Sequence, residues 1–189
     1  MEELRYNTSF IAGLMSNPAL VRHVAFMGHI HHGKTSVVHH LFQGARADSD
    51  ERGVQCLKGD NKDIRLHGVR PDEIERAVSL KTTLTSLPLE DYNGKHFMVN
   101  MIDCPGHVDF FDDVTCVSRS VDGVVLVVDA LEGVMGSTKK VIKAALDAGN
   151  KLTLVVNKVD RLILELRIPP EDAYLKLAHT ILEVNNAIH

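Results

Sequence analysis

The sequence predicts an α/β fold, a mainly parallel sheet with helices on both faces and one antiparallel hairpin at its edge. Three observations lead there. Short apolar runs fit for buried strands, at 21–27, 123–128 and 152–156, alternate with stretches whose apolar residues recur at helical spacing. Between the first two runs, Asn93-Gly94 is a two-residue hairpin signal, flanked by Leu84, Leu87 and Leu89 before it and Phe97, Val99, Met101 and Ile102 after it. The first run leads into Gly28-His29-Ile30-His31-His32-Gly33-Lys34-Thr35. This is the spacing glycine, four residues, glycine-lysine-threonine of a phosphate-binding loop between strand and helix.

Residues 1–20 read as a lead-in, with Phe10, Ile11, Leu14 and Met15 on one short helical face broken at Asn17-Pro18; the domain proper spans 21–189. After the phosphate loop, Val37, Val38, Leu41 and Phe42 recur at helical spacing, and this helix is expected to end near Gly44. Residues 44–72 lack apolar periodicity and carry four glycines, many charges and Pro71, which reads as a long loop, disordered or functional. Pro88 cannot donate to a ladder, so the first hairpin strand belongs at an edge. Ser137 is expected to cap a helix carrying Val141, Ile142, Ala145 and Leu146, closed by Gly149. The last helix starts at Pro170 with Glu171 and Asp172 in its first turn. Its apolar face is expected along Ala173, Leu177 and Ile181, with Tyr174, Ala178 and Leu182 beside them.

At 189 residues the chain suits a single domain, and an apolar fraction of 44% suffices for a core. A net charge of −4 argues against a stand-alone, non-specific nucleic-acid binder. Cys56, Cys104 and Cys116 are scattered, without a Cys-x-x-Cys pair, which suits a reducing compartment. No apolar run approaches the roughly 20 residues of a membrane span, and the first residues show no signal-peptide pattern.

Several negative charges must be met at close range if a triphosphate is to bind. Gly33 lets the backbone approach and turn its N–H groups onto the phosphates. Lys34 would place an ammonium on the outer phosphates, Thr35 would offer its hydroxyl to magnesium, and the helix N-terminus adds partial positive charge. Asp103-Cys104-Pro105-Gly106-His107 follows an apolar strand, so Asp103 is placed to hold magnesium through water and Gly106 to give its N–H to a terminal phosphate. Asn157-Lys158-Val159-Asp160 ends another strand. There Asp160 can accept both the ring N–H and the exocyclic amine of guanine, Asn157 would bond the base edge, and the Lys158 stem could lie over the base. Taken alone, each motif could be an ordinary turn. Three in this order, each at a strand end, read as a P-loop GTPase.

Histidine after Gly106 resembles the translational GTPases of the elongation-factor group. That resemblance implies that His107 is catalytic and orients the attacking water. Residues 72–83, Asp72 to Thr83, resemble the end of switch one in elongation factor 2 and its spliceosomal relatives. The resemblance puts Ser79 at the family's magnesium-binding threonine and Ala77 where glycine or cysteine is usual. His31 stands where elongation factors carry aspartate. The stretch 157–174 is similar to that of the U5 snRNP GTPases, and the likeness covers roughly residues 20–188. It implies a P-loop NTPase G domain with GTP or GDP and Mg2+ as ligands. The implied nucleotide contacts are His29, Ile30, His31, His32, Gly33, Lys34, Thr35, Ser36, Asp103, Gly106, Asn157, Lys158 and Asp160, with Thr35, Ser79 and Asp103 on the metal. It further implies a nuclear protein that controls the spliceosome through a large U5 scaffold protein and an RNA helicase. U5 RNA would be met mostly through other proteins, and no membrane is involved.

The family's fifth motif, a serine-alanine loop over the guanine, follows one further strand, and this chain reaches His189 first. The resemblance therefore implies an incomplete G domain with weakened nucleotide affinity and an open sheet edge. Two other readings stand beside the GTPase. One is a scaffold that keeps GTP without turnover, which Ser79, Ala77 and His31 would allow; the other is a ribosomal translocase. The histidines 29, 31, 32, 39 and 40 lack partners at metal-ligand spacing and read as loop packing and a solvated helix face rather than a zinc site.

Overall fold

The computed structural model describes residues 8–47, 71–76 and 78–189. Helix α1 (Thr8–Met15) and a 3-10 turn (Pro18–Leu20) precede β1 (Val21–Met27). Next come α2 (Lys34–Ala47), α3 (Pro71–Arg76), β2 (Thr83–Glu90), β3 (His96–Asp103) and α4 (Phe111–Ser118). The chain ends through β4 (Gly123–Asp129), α5 (Gly136–Asp147), β5 (Lys151–Asn157), α6 (Asp160–Leu164) and α7 (Pro170–Ile188). The five strands form one sheet in the order β2-β3-β1-β4-β5. Only β2 with β3 is antiparallel; β3, β1, β4 and β5 run parallel. Pro88 lies on the edge strand β2, where its missing N–H costs no ladder bond.

Alternation along the strands builds two cores. Ala25 and Met27 of β1 and Val124, Leu126 and Val128 of β4 face one side, packed with Val114 of α4, Ile142 and Ala145 of α5 and Val184 of α7. Phe26, Val127, Met101 and Leu87 face the other side with Val38 of α2. Because β4 and the second half of β1 are buried on both faces, 124–128 and 24–27 read as continuous apolar runs. All parallel strands end at the same side of the sheet, so β1, β3, β4 and β5 deliver their C-terminal residues to one rim.

The structure corrects several local expectations. Helix α2 runs through Gly44 to Ala47, and α3 occupies 71–76, so the long loop expected over 44–72 is narrowed at both ends; 48–70 lie outside the described residues. The hairpin does not use a two-residue turn. Glu90 pairs with His96, and Asp91 N–H reaches Lys95 O (2.8 Å) while Gly94 N–H reaches Asp91 O (2.8 Å). Only Gly94 has positive φ (77°), and Asp91 also accepts from Tyr92 N–H, so Asp91 opens the turn and Gly94 closes it. Leu84 is exposed because it lies an odd number of residues from Leu87 and so faces the opposite side. Along α7 the buried positions are Thr180 and Val184, whereas Tyr174, Ile181 and Leu182 are exposed. The face that packs onto α5 is therefore rotated from the one the apolar residues marked. His39 is buried rather than solvated.

Candidate functional site

The rim of the parallel strands gathers the polar residues singled out by sequence. The loop after β1 turns through His31 (φ 61°) and Gly33 (φ 90°) before α2 begins at Lys34. A side chain at Gly33 would be strained and would strike Asn157 Nδ2, so glycine is needed both for the turn and for the closeness of the two loops. Lys34 is only 6% exposed, and its ammonium donates to His29 O at 2.9 Å. Burial lowers its pKa, and Asp103 and Cys104 oppose that.

Thr35, at the start of α2, donates through Oγ1 to Asp103 Oδ2 at 2.5 Å, and its hydroxyl lies 3.3 Å from Ser79 Oγ. Ser79 owes its place to Glu73 of α3, a buried residue whose Oε1 accepts from the N–H groups of Leu80 (2.8 Å) and Lys81 (3.2 Å). Two hydroxyls and a carboxylate form an all-oxygen donor set, the chemistry magnesium takes. Gly106 faces this centre from the loop after β3. A methyl group there would strike Lys34 Nζ and come within 2.9 Å of the Ile30 backbone, which leaves the main chain as the surface presented. Ala77 lies outside the described residues.

The second loop, after β5, is tied to the first. Asn157 Nδ2 donates to His32 O (2.9 Å), while its Oδ1 accepts from Lys158 N–H (2.9 Å). Lys158, with φ 57°, donates through Nζ to His31 O at 2.5 Å. Asp160 opens α6 and is exposed, as is Ser36 in the first turn of α2.

Ser137 sits differently from the expectation, and His107 lies on an open loop. Ser137 does not cap α5, which begins at Gly136 without a side-chain cap; its hydroxyl instead meets His29 Nδ1 at 2.6 Å. His107 has a 44% exposed side chain, and its Nδ1 accepts from Asp109 N–H at 3.2 Å with its ring near Phe110. Its hydrogen-bond and ring partners thus lie on its own loop.

Besides Glu73, sequence reasoning passed over Asp129, Glu132 and Arg161. Asp129, at the end of β4, is fully buried and accepts from Leu131 N–H (2.7 Å), Arg161 Nη1 (2.7 Å) and Lys158 Nζ (3.2 Å). Burial alone would raise its pKa, but the Leu131 N–H, Lys158 and Arg161 outweigh it and hold the carboxyl below the usual range. Glu132 meets His32 Nε2 at 3.0 Å, while His32 Nδ1 accepts from Asp129 N–H at 3.2 Å. His32 Nδ1 also lies 3.4 Å from Val127 O, and burial lowers the ring's pKa against the pull of Glu132 and Val127. The signal for Asp129 was present: a polar residue closing an apolar run, as Asp103 and Asn157 do. Among the described residues, no three His, Cys, Asp or Glu side chains are grouped to hold a metal by themselves. A cleft of about 320 Å³ between α4 and α5, lined by Phe111, Thr115, Lys140 and Ala144 among others, includes none of the rim residues.

Comparison with known proteins agrees with this geometry. Residues 19–188 match the elongation factor Tu GTP binding domain family. The chain is 46% identical over 182 residues to the Arabidopsis thaliana protein named 110 kDa U5 small nuclear ribonucleoprotein component CLO, covering 96% of this chain and 18% of that protein. It is 43% identical over 183 residues to the pre-mRNA-splicing factor cwf10 of Schizosaccharomyces pombe, covering 97% and 18%. Against elongation factor 2 of Halobacterium salinarum it is 42% identical over 175 residues, covering 93% and 23%. The chain thus spans about a fifth of the length of these curated relatives. With nine-tenths of its residues inside the match and its three motifs on one sheet rim, the chain belongs to the elongation factor Tu GTP-binding domain family.

Proposed function

We propose that this chain is the nucleotide-binding domain of a GTPase of the spliceosomal U5 ribonucleoprotein particle, converting GTP to GDP and phosphate. The observation that carries the reading is a nearly buried ammonium, Lys34, beside the Thr35–Ser79–Asp103 oxygens. A buried cation met chiefly by one carbonyl is costly, and an anion of several charges offsets that cost. Lys34 and the N–H groups of the loop 28–35 bind the phosphates, and Gly106 donates its N–H to the outermost one. Thr35, Ser79 and Asp103 would hold magnesium, which supplies positive charge to the outer phosphates when bound. Asp160 accepts the two guanine N–H groups, with Asn157 and Lys158 fixing the loop beneath the base. His107 orients the water that attacks the γ-phosphorus as the bond to the β-phosphate oxygen breaks.

The relatives named as U5 components and as a pre-mRNA-splicing factor support the setting. By that likeness the protein works in the nucleus, in contact with a large U5 scaffold protein and an RNA helicase. The relatives named elongation factor 2 make a ribosomal role the rival, and co-sedimentation with U5 particles or with ribosomes decides between them. Among the described residues no helix is long and apolar enough to cross a membrane.

The test of the chemistry is a single-turnover assay of phosphate release from labelled GTP with magnesium. Release from the wild type and slowing in His107→Ala support hydrolysis; unchanged turnover in that variant removes His107 from the mechanism. The position of the His107 ring, engaged with Asp109 and Phe110, favours one second reading: a domain that holds GTP until a partner re-aims the ring. Bound GTP whose phosphate is released only once partners are added favours that reading, and no release even with partners favours a scaffold without turnover.

A further inference from the structure

The GTPase reading assigns guanine selection to the loop 157–160, yet Lys158 of that loop and Arg161 just after it both bond a carboxylate outside it. Asp129 is the last residue of β4 and is fully buried. Its Oδ1 accepts from Leu131 N–H at 2.7 Å, while Oδ2 accepts from both Arg161 Nη1 (2.7 Å) and Lys158 Nζ (3.2 Å). A carboxylate removed from water must be compensated, and here the compensation comes from two cations that flank Asp160 in sequence.

We propose that Asp129 and Arg161 are positioning residues for guanine specificity: their ion pair, with Lys158, holds the turn into α6 so that Asp160 meets the base in one place. This rests on the proposed function. Arg161 is braced from both sides, since its Nε and Nη2 also donate to Glu165 at 2.7 and 2.9 Å, across one turn of α6. Asp160 adjoins Arg161 and is exposed, and among the described residues no hydrogen bond holds its own side chain, so its position comes from the neighbours. Lys158 has left-handed backbone geometry (φ 57°), which a non-glycine residue keeps only where its surroundings hold it. The same Asp129 reaches the phosphate loop through its N–H, donated to His32 Nδ1 at 3.2 Å, while His32 O takes Asn157 Nδ2. One residue thus ties the phosphate side of the site to the base side.

Selectivity for guanine over a purine lacking the exocyclic amine requires a carboxylate aimed at two donors at once. A carboxylate free to shift keeps one bond and loses the pair. The experiment compares GDP with IDP, which lacks that amine, by equilibrium titration of the full chain. In the wild type GDP binds more tightly. In Arg161→Ala and Asp129→Asn the GDP affinity falls while IDP affinity changes little, so the GDP/IDP ratio drops about tenfold, the worth of one charge-assisted hydrogen bond. Arg161→Lys, which keeps a cation beside Asp129, restores part of the ratio. The buried Asp129→Asn change could unfold the chain; Arg161 has a partly exposed side chain, so its variants keep the test open, with folding checked by thermal melting. An unchanged ratio in folded Arg161→Ala, or equal losses for both nucleotides, overturns the proposal and leaves the GTPase reading standing. A wild type that binds neither nucleotide overturns both.

Discussion

Close contact decides the behaviour of single residues at the rim. Gly106→Ala would put a methyl group on Lys34 Nζ and against the Ile30 backbone, so the loop after β3 or the phosphate loop must move. The expected outcome is loss of GTP affinity and of phosphate release, with a melting temperature close to wild type because the rim lies outside the two cores. Titration with a fluorescent GTP analogue checks it. Cysteine chemistry divides by burial. Cys104 is buried, and that burial, with help from Asp103, pushes its thiol up to about 12, while Cys116 is exposed. Alkylation mapped by mass spectrometry on the native protein is expected to mark Cys116 well before Cys104; comparable labelling would mean that the Cys104 pocket opens. Asp103, Lys34 and Gly106 were legible as a constellation because each belongs to a motif with fixed spacing. Glu73 was not, because its importance comes from a partner 7 residues away, and Asp129, though it closes an apolar run, owes its role to Arg161, 32 residues away.

At the scale of elements, helix α7 shows why an apolar pattern can be read on the wrong side. Ile181 and Leu182 continue an apolar stripe, but the helix presents Thr180 and Val184 to the core, and the small Ala187 completes that face. Val184→Ala is expected to cost about 1–3 kcal/mol, whereas Ile181→Ala stays within about 0.5 kcal/mol, since only the first leaves a void. Urea melts of the two variants measure this. The hairpin between β2 and β3 was legible, as was the edge position of Pro88. Its turn was not, because Asn93-Gly94 is compatible with both a two-residue turn and the longer one that Asp91 opens.

For the whole molecule, stability should depend on pH through His32 and Asp129. The unfolded His32 ring takes a proton near the ordinary value of about 6.5, whereas the folded, buried ring does so only at lower pH. Between those points the unfolded chain binds the extra proton, so stability is full above about pH 6.5 and declines as pH falls towards the folded value. Asp129 adds a second decline at lower pH: its folded pKa lies below the usual carboxylate range, so its contribution is present above that range and is lost as pH falls through the folded value. Chemical denaturation from pH 8 to pH 5 is expected to show the first decline, and His32→Gln to flatten it. Nucleotide should act in the opposite sense. GDP at a hundred times its dissociation constant is expected to stabilise the fold by about 2.7 kcal/mol, with ATP at the same concentration giving little. A thermal shift series reads this directly.

Local pattern was enough to establish the alternation of strands and helices, the edge hairpin and the three polar loops at the strand ends. Those features depend on side-chain period and on the special backbone needs of glycine and proline, both of which act over a few residues. The order of the strands, the joining of Ser79 to Thr35 through Glu73, the rotation of α7 and the hub at Asp129 come from packing in three dimensions. There, residues distant in the chain share one buried space, and the requirement that every buried charge find a partner selects the arrangement.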